Sequence, residues 1–273
     1  MSVPPSSASS TPPDLPEAEA AATRPVALVT GAARRLGRAI ALDLGRHGHD
    51  VVVHCHHSQG EAEQTAADLQ ALGARAWVLN ADLGDEAACA ALVPQVLACA
   101  GRLDAVVSSA SLFEFDDVQG FSYASLERHL RVNTAPTIVL ARALAAHLAE
   151  VDRRGAVVTL LDQKLRNPNP DFLSYTLSKA ALESATQLLA LALAPRVRLA
   201  GVAPGLTLES DWLRGERFEA LHRQSSLLER SSTPEDVART VRFVLENGSI
   251  TGSTILVDAG QHLRRFERDF SMQ

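Results

Sequence analysis

VALVTGAARRLG, residues Val26–Gly37, is the stretch that decides the fold. Its first four residues form an uninterrupted apolar run, which is typical of a strand buried on both faces of a parallel sheet. Gly31 and Gly37 follow, and a helical pattern covers residues 36–47. A glycine turn between a buried strand and a helix lets backbone N–H groups and the helix N-terminus bind a pyrophosphate. The stretch therefore predicts a dinucleotide-binding fold, although a tight turn that only caps the helix has a similar pattern.

The alternation of apolar runs and helical patterns continues along the chain. We expect strands at 51–53, 76–79, 103–107, 156–161, 197–202 and 254–257. We expect helices at 61–72, 86–99, 122–149 and 173–193, and one that begins at 233–236. Parallel strands joined by helical crossovers predict an α/β fold, a Rossmann-type doubly wound parallel sheet in a single domain. Residues 1–24 are rich in Pro, Ala and Ser and are predicted to be a disordered tail, so residues 25–273 form the domain.

Composition restricts the class of partner. The 273 residues carry 26 Lys and Arg against 32 Asp and Glu, so the basic excess expected of a protein that binds nucleic acid or anionic membrane is missing. No apolar stretch has the length of a membrane span, and the N-terminus does not have the pattern of a signal peptide. The cysteines Cys55, Cys89 and Cys99 are few and widely spaced. We therefore expect a cytoplasmic protein with a small-molecule substrate.

The end of the second strand predicts which dinucleotide binds. NAD sites usually place an acid there, whereas an Arg accommodates the 2′-phosphate of NADP. This chain has His54-Cys55-His56-His57-Ser58 at that point and Arg35 in the glycine loop, so NADP(H) is the predicted cofactor. The histidines could instead mark an exposed strand end or an adventitious metal site. A shared metal is disfavoured because adjacent residues of an extended chain point to opposite faces, and no metal site is predicted.

Tyr175 and Lys179 lie four residues apart in the helix predicted at 173–193. Residues at that spacing share one helix face, so the ammonium of Lys179 can favour ionisation of the Tyr175 phenol. Tyr175 could then donate a proton near neutral pH. The alternative is an ordinary surface pair on an amphipathic helix.

With these residues the chain resembles the short-chain dehydrogenase/reductase family, and within it the pteridine reductases. The resemblance runs from residue 25 to about 265. It is carried by the loop 30–37, Ala81-Asp82-Leu83, Asn133, the Tyr175/Lys179 pair and Pro204-Gly205. It implies that Lys179 also binds the nicotinamide ribose.

Two features resemble the pteridine-reductase branch in particular. Asp162 occupies the position thirteen residues before Tyr175 that is usually Ser, where a carboxyl could protonate or hold a heterocycle. Phe113, in Ser111-Leu112-Phe113, could stack a flat pterin against the nicotinamide. Asp162 could also be an N-cap or a solvated loop acid. The chain departs from the family at Ser108-Ser109-Ala110-Ser111, where Asn-Asn-Ala-Ser or Asn-Asn-Ala-Gly is usual, so the side chains that brace the central strand and the cofactor are shorter.

The candidate residues fall into three groups. The catalytic candidates are Tyr175, Lys179, Asp162 and Asn133. The cofactor candidates are Gly31, Arg35, Leu36, Gly37, His56, His57, Ser58, Asp82, Leu83, Ser109, Ala110, Tyr175, Lys179, Pro204 and Gly205. The substrate candidates are Ser111, Phe113, Asp162, Tyr175, Leu206 and Arg265.

Three functions are compatible with these residues. The first is an NADPH-dependent reductase of a dihydropteridine such as dihydromonapterin, dihydrobiopterin or dihydrofolate. The second is a carbonyl reductase of the 3-oxoacyl or sugar-alcohol type. The third is a non-catalytic NADP-binding scaffold or sensor. The stretch 209–230, which would cover the substrate, has no readable pattern.

The resemblance also implies a homotetramer, with interfaces formed by the helices at 122–149 and 173–193 and by the last strand. The helix at 173–193 carries small and apolar residues around more of its surface than one sheet contact needs. In pteridine reductases an Arg near the C-terminus reaches the neighbouring subunit's substrate pocket, and Arg265 is the nearest match. We therefore expect deletion from Leu263 onward to weaken substrate binding more than cofactor binding.

Overall fold

The computed structural model describes residues 24–210 and 213–272. Within them, one sheet contains seven strands, and all neighbouring strands are parallel. The strands are β1 (Val26–Val29), β2 (Asp50–Cys55), β3 (Ala76–Asn80), β4 (Ala105–Ser108), β5 (Gly155–Leu160), β6 (Val197–Pro204) and β7 (Thr254–Val257). Their order is β3-β2-β1-β4-β5-β6-β7, so the winding reverses between β1 and β4. The predicted Rossmann-type fold is confirmed, and ligands of such sheets bind at the carboxyl ends of the strands near the reversal.

Helices cover both faces of the sheet. In chain order they are α1 (Arg35–Arg46), α2 (Gln59–Ala71), α3 (Glu86–Ala100), α4 (Tyr123–Asn133), α5 (Ala135–Glu150), α6 (Leu173–Leu193), α7 (Gly215–Gln224) and α8 (Pro234–Glu246). Helices α1, α2 and α8 pack on one face, and α3, α5 and α6 on the other. Among the helices of the described ranges, none has the length and apolar composition that a bilayer span requires.

The two faces of β1 supply two separate parts of the core. Ala27 and Val29 pack with α1, α2 and α8, whereas Val26 and Leu28 pack with α3, α5 and α6. Successive side chains of a strand alternate between faces, and all four are completely buried. This two-sided burial is the reason why the strand is an unbroken apolar run.

The helix predicted at 122–149 is in fact two helices. Helix α4 ends at Asn133, and α5 begins at Ala135 after the cap residue Thr134. Pro136, in the first turn of α5, has no N–H to donate, and its ring would clash with the carbonyl of the residue four positions earlier. A proline is tolerated at the start of a helix but not within one, so the prediction of one continuous helix was wrong.

The polar stretch 209–230 contains a helix that the pattern did not reveal. Helix α7 buries only Phe218, and this single buried residue gives too little apolar periodicity to predict a helix.

At the N-terminal end, the predicted tail lies outside the described residues except for Arg24, which is anchored to the domain. Its guanidinium donates to the carbonyl oxygens of Gly45 (3.0 Å) and Gly73 (2.6 Å) and lies 3.4 Å from a carboxylate oxygen of Asp50. Arg24 therefore belongs structurally with the domain.

Candidate active site

A cavity of about 1010 Å³ opens at the carboxyl ends of the strands. It brings together nearly all the residues predicted for the site, from separate loops and helices. Those that line it are Gly31, Arg35, Leu36, Gly37, His56, His57, Ser58, Asp82, Leu83, Ser109, Ala110, Ser111, Phe113, Asp162, Tyr175, Lys179, Pro204, Gly205 and Leu206. Asn133 and Arg265 do not line it.

The glycine loop follows β1 and packs tightly against its neighbours. Gly31 has φ of +64°, and a Cβ there would lie 2.9 Å from Cα of Ala110. A Cβ on Gly37 would lie only 2.2 Å from the carbonyl oxygen of Gly31. Both positions therefore require glycine. The hydroxyl of Thr30 accepts N–H bonds from Ser109 (2.9 Å) and Ala110 (3.0 Å), which ties the loop after β4 to the end of β1.

His54 braces the glycine loop and is a site residue that the sequence interpretation missed. Its Nδ1 accepts the N–H of Gly31 at 3.2 Å, and its Nε2 lies 3.1 Å from the carbonyl oxygen of Ala81. Burial lowers the pKa of His54 to about 4, so the ring is neutral and its Nε2–H donates to Ala81. A histidine inside an apolar strand was the only sequence signal for this role.

The entrance to α1 provides donors for phosphate groups. The N-cap residue Arg34 makes no side-chain capping bond, so the N–H groups of the first turn remain available to an anion. The side chains of Arg34 and Arg35 are exposed and line the cavity beside them. The loop after β2 adds His56, His57 and Ser58 to the same end of the cavity. This donor set fits the pyrophosphate and 2′-phosphate of NADP.

His56 and His57 do not point to opposite faces, as an extended backbone would require. Their rings stack with centroids 3.5 Å apart. Strand β2 ends at Cys55, and the chain bends at both histidines, so the alternation of a strand no longer applies.

The shortened side chain at the end of β4 retains a brace. The hydroxyl of Ser108 lies 2.7 Å from the hydroxyl of Thr137 in α5, and both residues are buried. This hydrogen bond joins the end of the central strand to the helix beneath it.

Tyr175 and Asp162 form the centre of the site. The Tyr175 hydroxyl donates to Oδ2 of Asp162 at 2.8 Å. The other carboxylate oxygen of Asp162 accepts the N–H of Lys164 at 2.8 Å, so Asp162 is also the N-cap of the 3-10 turn Gln163–Leu165. Burial raises the pKa of Asp162 and outweighs the hydrogen bonds it accepts. The N-cap interpretation of Asp162 is therefore confirmed, and its role as an active-site acid stays a prediction for a side chain that lines the cavity.

The ionisation predicted for Tyr175 is not favoured, because burial outweighs any effect of the Lys179 ammonium. Burial, followed by the neighbouring Asp162 carboxylate, raises the pKa of Tyr175 well above its ordinary value. The ammonium of Lys179 donates to the carbonyl oxygen of Leu160 at 2.7 Å and lies 5.7 Å from the centre of the Tyr175 ring. Burial lowers the pKa of Lys179 itself to about 8. In this arrangement Tyr175 carries its proton, as a proton donor must.

Asn133 does not line the cavity but hydrogen-bonds to two elements that do. It accepts the N–H of Leu112 (2.6 Å) and donates to its carbonyl oxygen (3.0 Å). It also donates to the hydroxyl of Ser178 at 2.9 Å. These bonds fix the loop that carries Phe113 against the helix that carries Tyr175, so the contacts of Asn133 are those of a positioning residue.

Phe113 stands beside the Tyr175 ring. The two rings meet edge to face, with centroids 4.7 Å apart. One face of Phe113 stacks on buried Phe172 at 4.2 Å, and 38% of the Phe113 surface stays exposed. Phe172 thus holds Phe113 in place while leaving part of it open to a ligand.

The cavity has a wall beside Asp162 that the sequence did not predict. It includes Lys164, Asn167, Phe266, Asp269 and Phe270. Arg265, the predicted substrate contact, is exposed in this chain, and its predicted reach into a neighbouring subunit stays a prediction.

The comparisons with known proteins define the class. A family model described as enoyl-(acyl carrier protein) reductase matches residues 31–262. The chain belongs to this family, the short-chain dehydrogenases/reductases, and is an oxidoreductase.

Individual relatives are more specific. The chain is similar to the crystal structure of FolM alternative dihydrofolate reductase 1 from Brucella canis complexed with NADP, at 43% identity and a TM-score of 0.82, covering 88% of this chain and 94% of that one. It is also similar to pteridine reductase 1 of Leishmania tarentolae, at 32% identity over 89% of this chain and 98% of that protein. A putative ketoacyl reductase of granaticin synthesis from Streptomyces violaceoruber is 34% identical over 92% of this chain and 98% of that protein.

Proposed function

We propose that this protein is an NADPH-dependent reductase of a dihydropteridine-type substrate, with Tyr175 as the proton donor. The observation that carries the proposal is the hydrogen bond from the Tyr175 hydroxyl to Asp162 beside the open edge of Phe113. A carboxyl can bond the paired nitrogens of a pterin, which the Ser usual at this position cannot do as well. The similarity to pteridine reductase 1 and to FolM supports the same class of substrate.

The donor set supports a place for the cofactor. The N-terminus of α1, Arg34 and Arg35 would hold the phosphates, and His56, His57 and Ser58 would add donors for the 2′-phosphate. The nicotinamide end would reach Lys179 and Tyr175 at the other side of the cavity. NADPH supplies the hydride when it is bound.

The protein's own residues handle the proton. Tyr175 holds it at the phenol oxygen, because burial keeps that group neutral. When the phenol donates to the substrate nitrogen, the ammonium of Lys179 stabilises the resulting phenolate. Asp162, whose pKa is raised by burial, can hold a proton and return it to Tyr175 across their 2.8 Å hydrogen bond.

The test is a substrate panel that follows NADPH absorbance. We expect turnover with dihydrobiopterin, dihydromonapterin or dihydrofolate and much less with 3-oxoacyl thioesters or keto sugars. The reverse order would establish the carbonyl-reductase alternative, which the Streptomyces relative favours. NADPH binding with no turnover of any compound would indicate the non-catalytic scaffold.

Cofactor choice is tested by Arg35→Ala. We expect a rise of about 10- to 100-fold in the dissociation constant for NADPH, because a charge-assisted bond to the 2′-phosphate is lost. NADH lacks this phosphate, so its dissociation constant should stay within about twofold. Arg46→Ala is the matched control, since Arg46 is exposed at the opposite end of the same helix. Equal binding of NADPH and NADH by the unaltered protein would contradict the predicted preference.

A homotetramer remains our proposal for the assembly. One stripe of α6 is exposed along its length, formed by Leu177, Ala180, Ser184, Leu188 and Leu191. Leu188 is 65% exposed and Leu191 80%, and burying them against a partner helix would stabilise an oligomer.

Light scattering is expected to show four copies per particle, and Leu188→Glu is expected to reduce that number. Leu72→Glu is the control, because Leu72 is an exposed leucine at the end of α2, away from this stripe. A monomer at micromolar concentration would refute the assembly, and a stable dimer would leave one interface.

A further inference from the structure

The segment after β7 crosses the substrate end of the cavity of its own chain. Phe266, Asp269 and Phe270 line the cavity that also contains Asp162 and Tyr175. Phe266 and Phe270 meet edge to face, with centroids 4.7 Å apart, and pack in an apolar cluster with Leu206, Leu213, Phe218 and Leu221. The segment is therefore packed into the fold at the place where a substrate would lie.

Three side chains from the connection between β5 and α6 hold this segment. Lys164 donates to Oδ2 of Asp269 at 3.0 Å. Asn167 donates to the backbone carbonyl of Arg264. Asp171 accepts the Nε–H of Arg268 at 2.9 Å and the backbone N–H of Asp269 at 2.7 Å.

Lys164 is the central residue of this attachment. Its side chain is only 5% exposed, and a buried ammonium is costly unless it is paired and hydrogen-bonded. Lys164 meets that requirement through Asp269 and through the carbonyl oxygen of Asp171 at 2.7 Å. Its ammonium also lies 5.4 Å from the centre of the Phe172 ring, on which Phe113 stacks. Lys164 thus links the C-terminal segment to the aromatic pair beside Tyr175.

Asp171 reinforces the attachment. Burial opposes its ionisation, but the bonds from Arg268 and from the N–H of Asp269 outweigh burial, and the pKa of Asp171 is lowered. The carboxylate is therefore charged at neutral pH and holds the segment at two adjacent residues.

We propose that Lys164 and Asp171 are positioning residues that hold the chain's own segment Arg264–Phe270 as the substrate-side wall of the cavity, where Phe266, Asp269 and Phe270 contact the substrate. The proposal deepens the proposed function and rests on it for the identity of the substrate. It assigns this wall to the same chain as Tyr175. The predicted role of Arg265 would instead place a residue of one subunit in the substrate pocket of its neighbour.

Subunit mixing separates these two origins. One partner carries Tyr175→Phe and so lacks the proton donor. The other is deleted from Leu263 onward and so lacks the wall. If the wall belongs to its own chain, mixed oligomers contain no complete site and no activity returns. Activity recovered in the mixture, above that of either partner alone, would overturn the proposal.

Lys164→Met tests the attachment itself. We expect the KM for dihydrobiopterin to rise by about tenfold or more, because methionine cannot donate the hydrogen bonds with which Lys164 holds Asp269 and the carbonyl oxygen of Asp171. The dissociation constant for NADPH should stay within about twofold, since Lys164 is not among the donors that we assign to the phosphates. Lys164→Arg should raise the KM less than Lys164→Met does, because arginine keeps the positive charge. Glu267→Gln is the matched control, an exposed acid of the same segment that does not line the cavity.

Hydrogen exchange gives a measurement that does not depend on turnover. In the NADPH complex, the amides of residues 264–270 should exchange faster in Lys164→Met and in Asp171→Asn than in the unaltered protein. The amides of β1 should not change, which shows that the variants are folded. Unchanged exchange at 264–270 in both variants, together with an unchanged KM, would refute the proposal. Failure of the unaltered protein to reduce any pterin would refute the proposed function but leave this measurement valid.

Discussion

Tyr175→Phe is expected to lower kcat by about 10²- to 10⁴-fold, because the variant lacks the phenol proton that we propose is donated to the substrate. The phenol is the donor in the bond to Asp162, and burial keeps it protonated. Tyr175 is 7% exposed and its ring meets Phe113 edge to face, and phenylalanine keeps that packing. NADPH affinity should therefore stay within about twofold, since no phosphate contact is altered.

Tyr123→Phe is the control for this substitution. Tyr123 is the other of the chain's two tyrosines and is 80% exposed on α4, so its hydroxyl should not affect turnover. Single-turnover measurements with saturating NADPH isolate the chemical step from product release. A Tyr175→Phe enzyme with near-normal turnover would exclude Tyr175 as the proton donor.

Asp162→Asn is expected to lower the rate with a dihydropteridine by about 10²- to 10³-fold and the rate with a simple carbonyl compound by much less. The amide oxygen can still accept the N–H of Lys164, so the 3-10 turn remains capped. The amide nitrogen cannot accept the Tyr175 hydroxyl, and the amide cannot carry the proton that the carboxyl can return. A heterocycle with paired ring nitrogens also loses the carboxylate that would bind those nitrogens, whereas a simple carbonyl compound has no such contact to lose.

Asp162→Ser supplies the comparison variant, because Ser is the residue that the resemblance to the family leads us to expect at this position. We expect it to retain more activity with carbonyl compounds than with pterins. Relative kcat/KM values for one pterin and one ketone provide the measurement. An equal loss with both substrates would favour the carbonyl-reductase alternative over the pterin reductase.

Much of the fold was predictable from local sequence. A strand buried on both faces must be apolar at every position, and β1 is. The glycine loop was recognisable from its two glycines between a strand and a helix. Glycine is required there because a side chain at Gly31 or Gly37 would collide with backbone. Tyr175 and Lys179 were predicted to share a face because they are one helical turn apart, and both line the cavity.

Other features were decided by geometry that local pattern does not contain. The stacking of His56 on His57 depends on where β2 ends and the chain bends. The protonated state of Tyr175 depends on its burial and on Asp162, thirteen positions earlier in the chain. Helical spacing indicated only that Lys179 is close, and proximity to a cation is one of several influences on a pKa.

The sequence by itself determined the sheet, the phosphate-binding loop and the Tyr175/Lys179 pair, because each depends on residues that are neighbours along one strand, one turn or one helix. Only the tertiary structure decided that the segment after β7 lines the cavity. Lys164 and Asp269 are 105 residues apart, and a buried ion pair between distant segments has no periodicity or spacing in the sequence. It exists because the β5–α6 connection and the segment after β7 reach the same edge of the sheet, where parallel strands bring their carboxyl ends together.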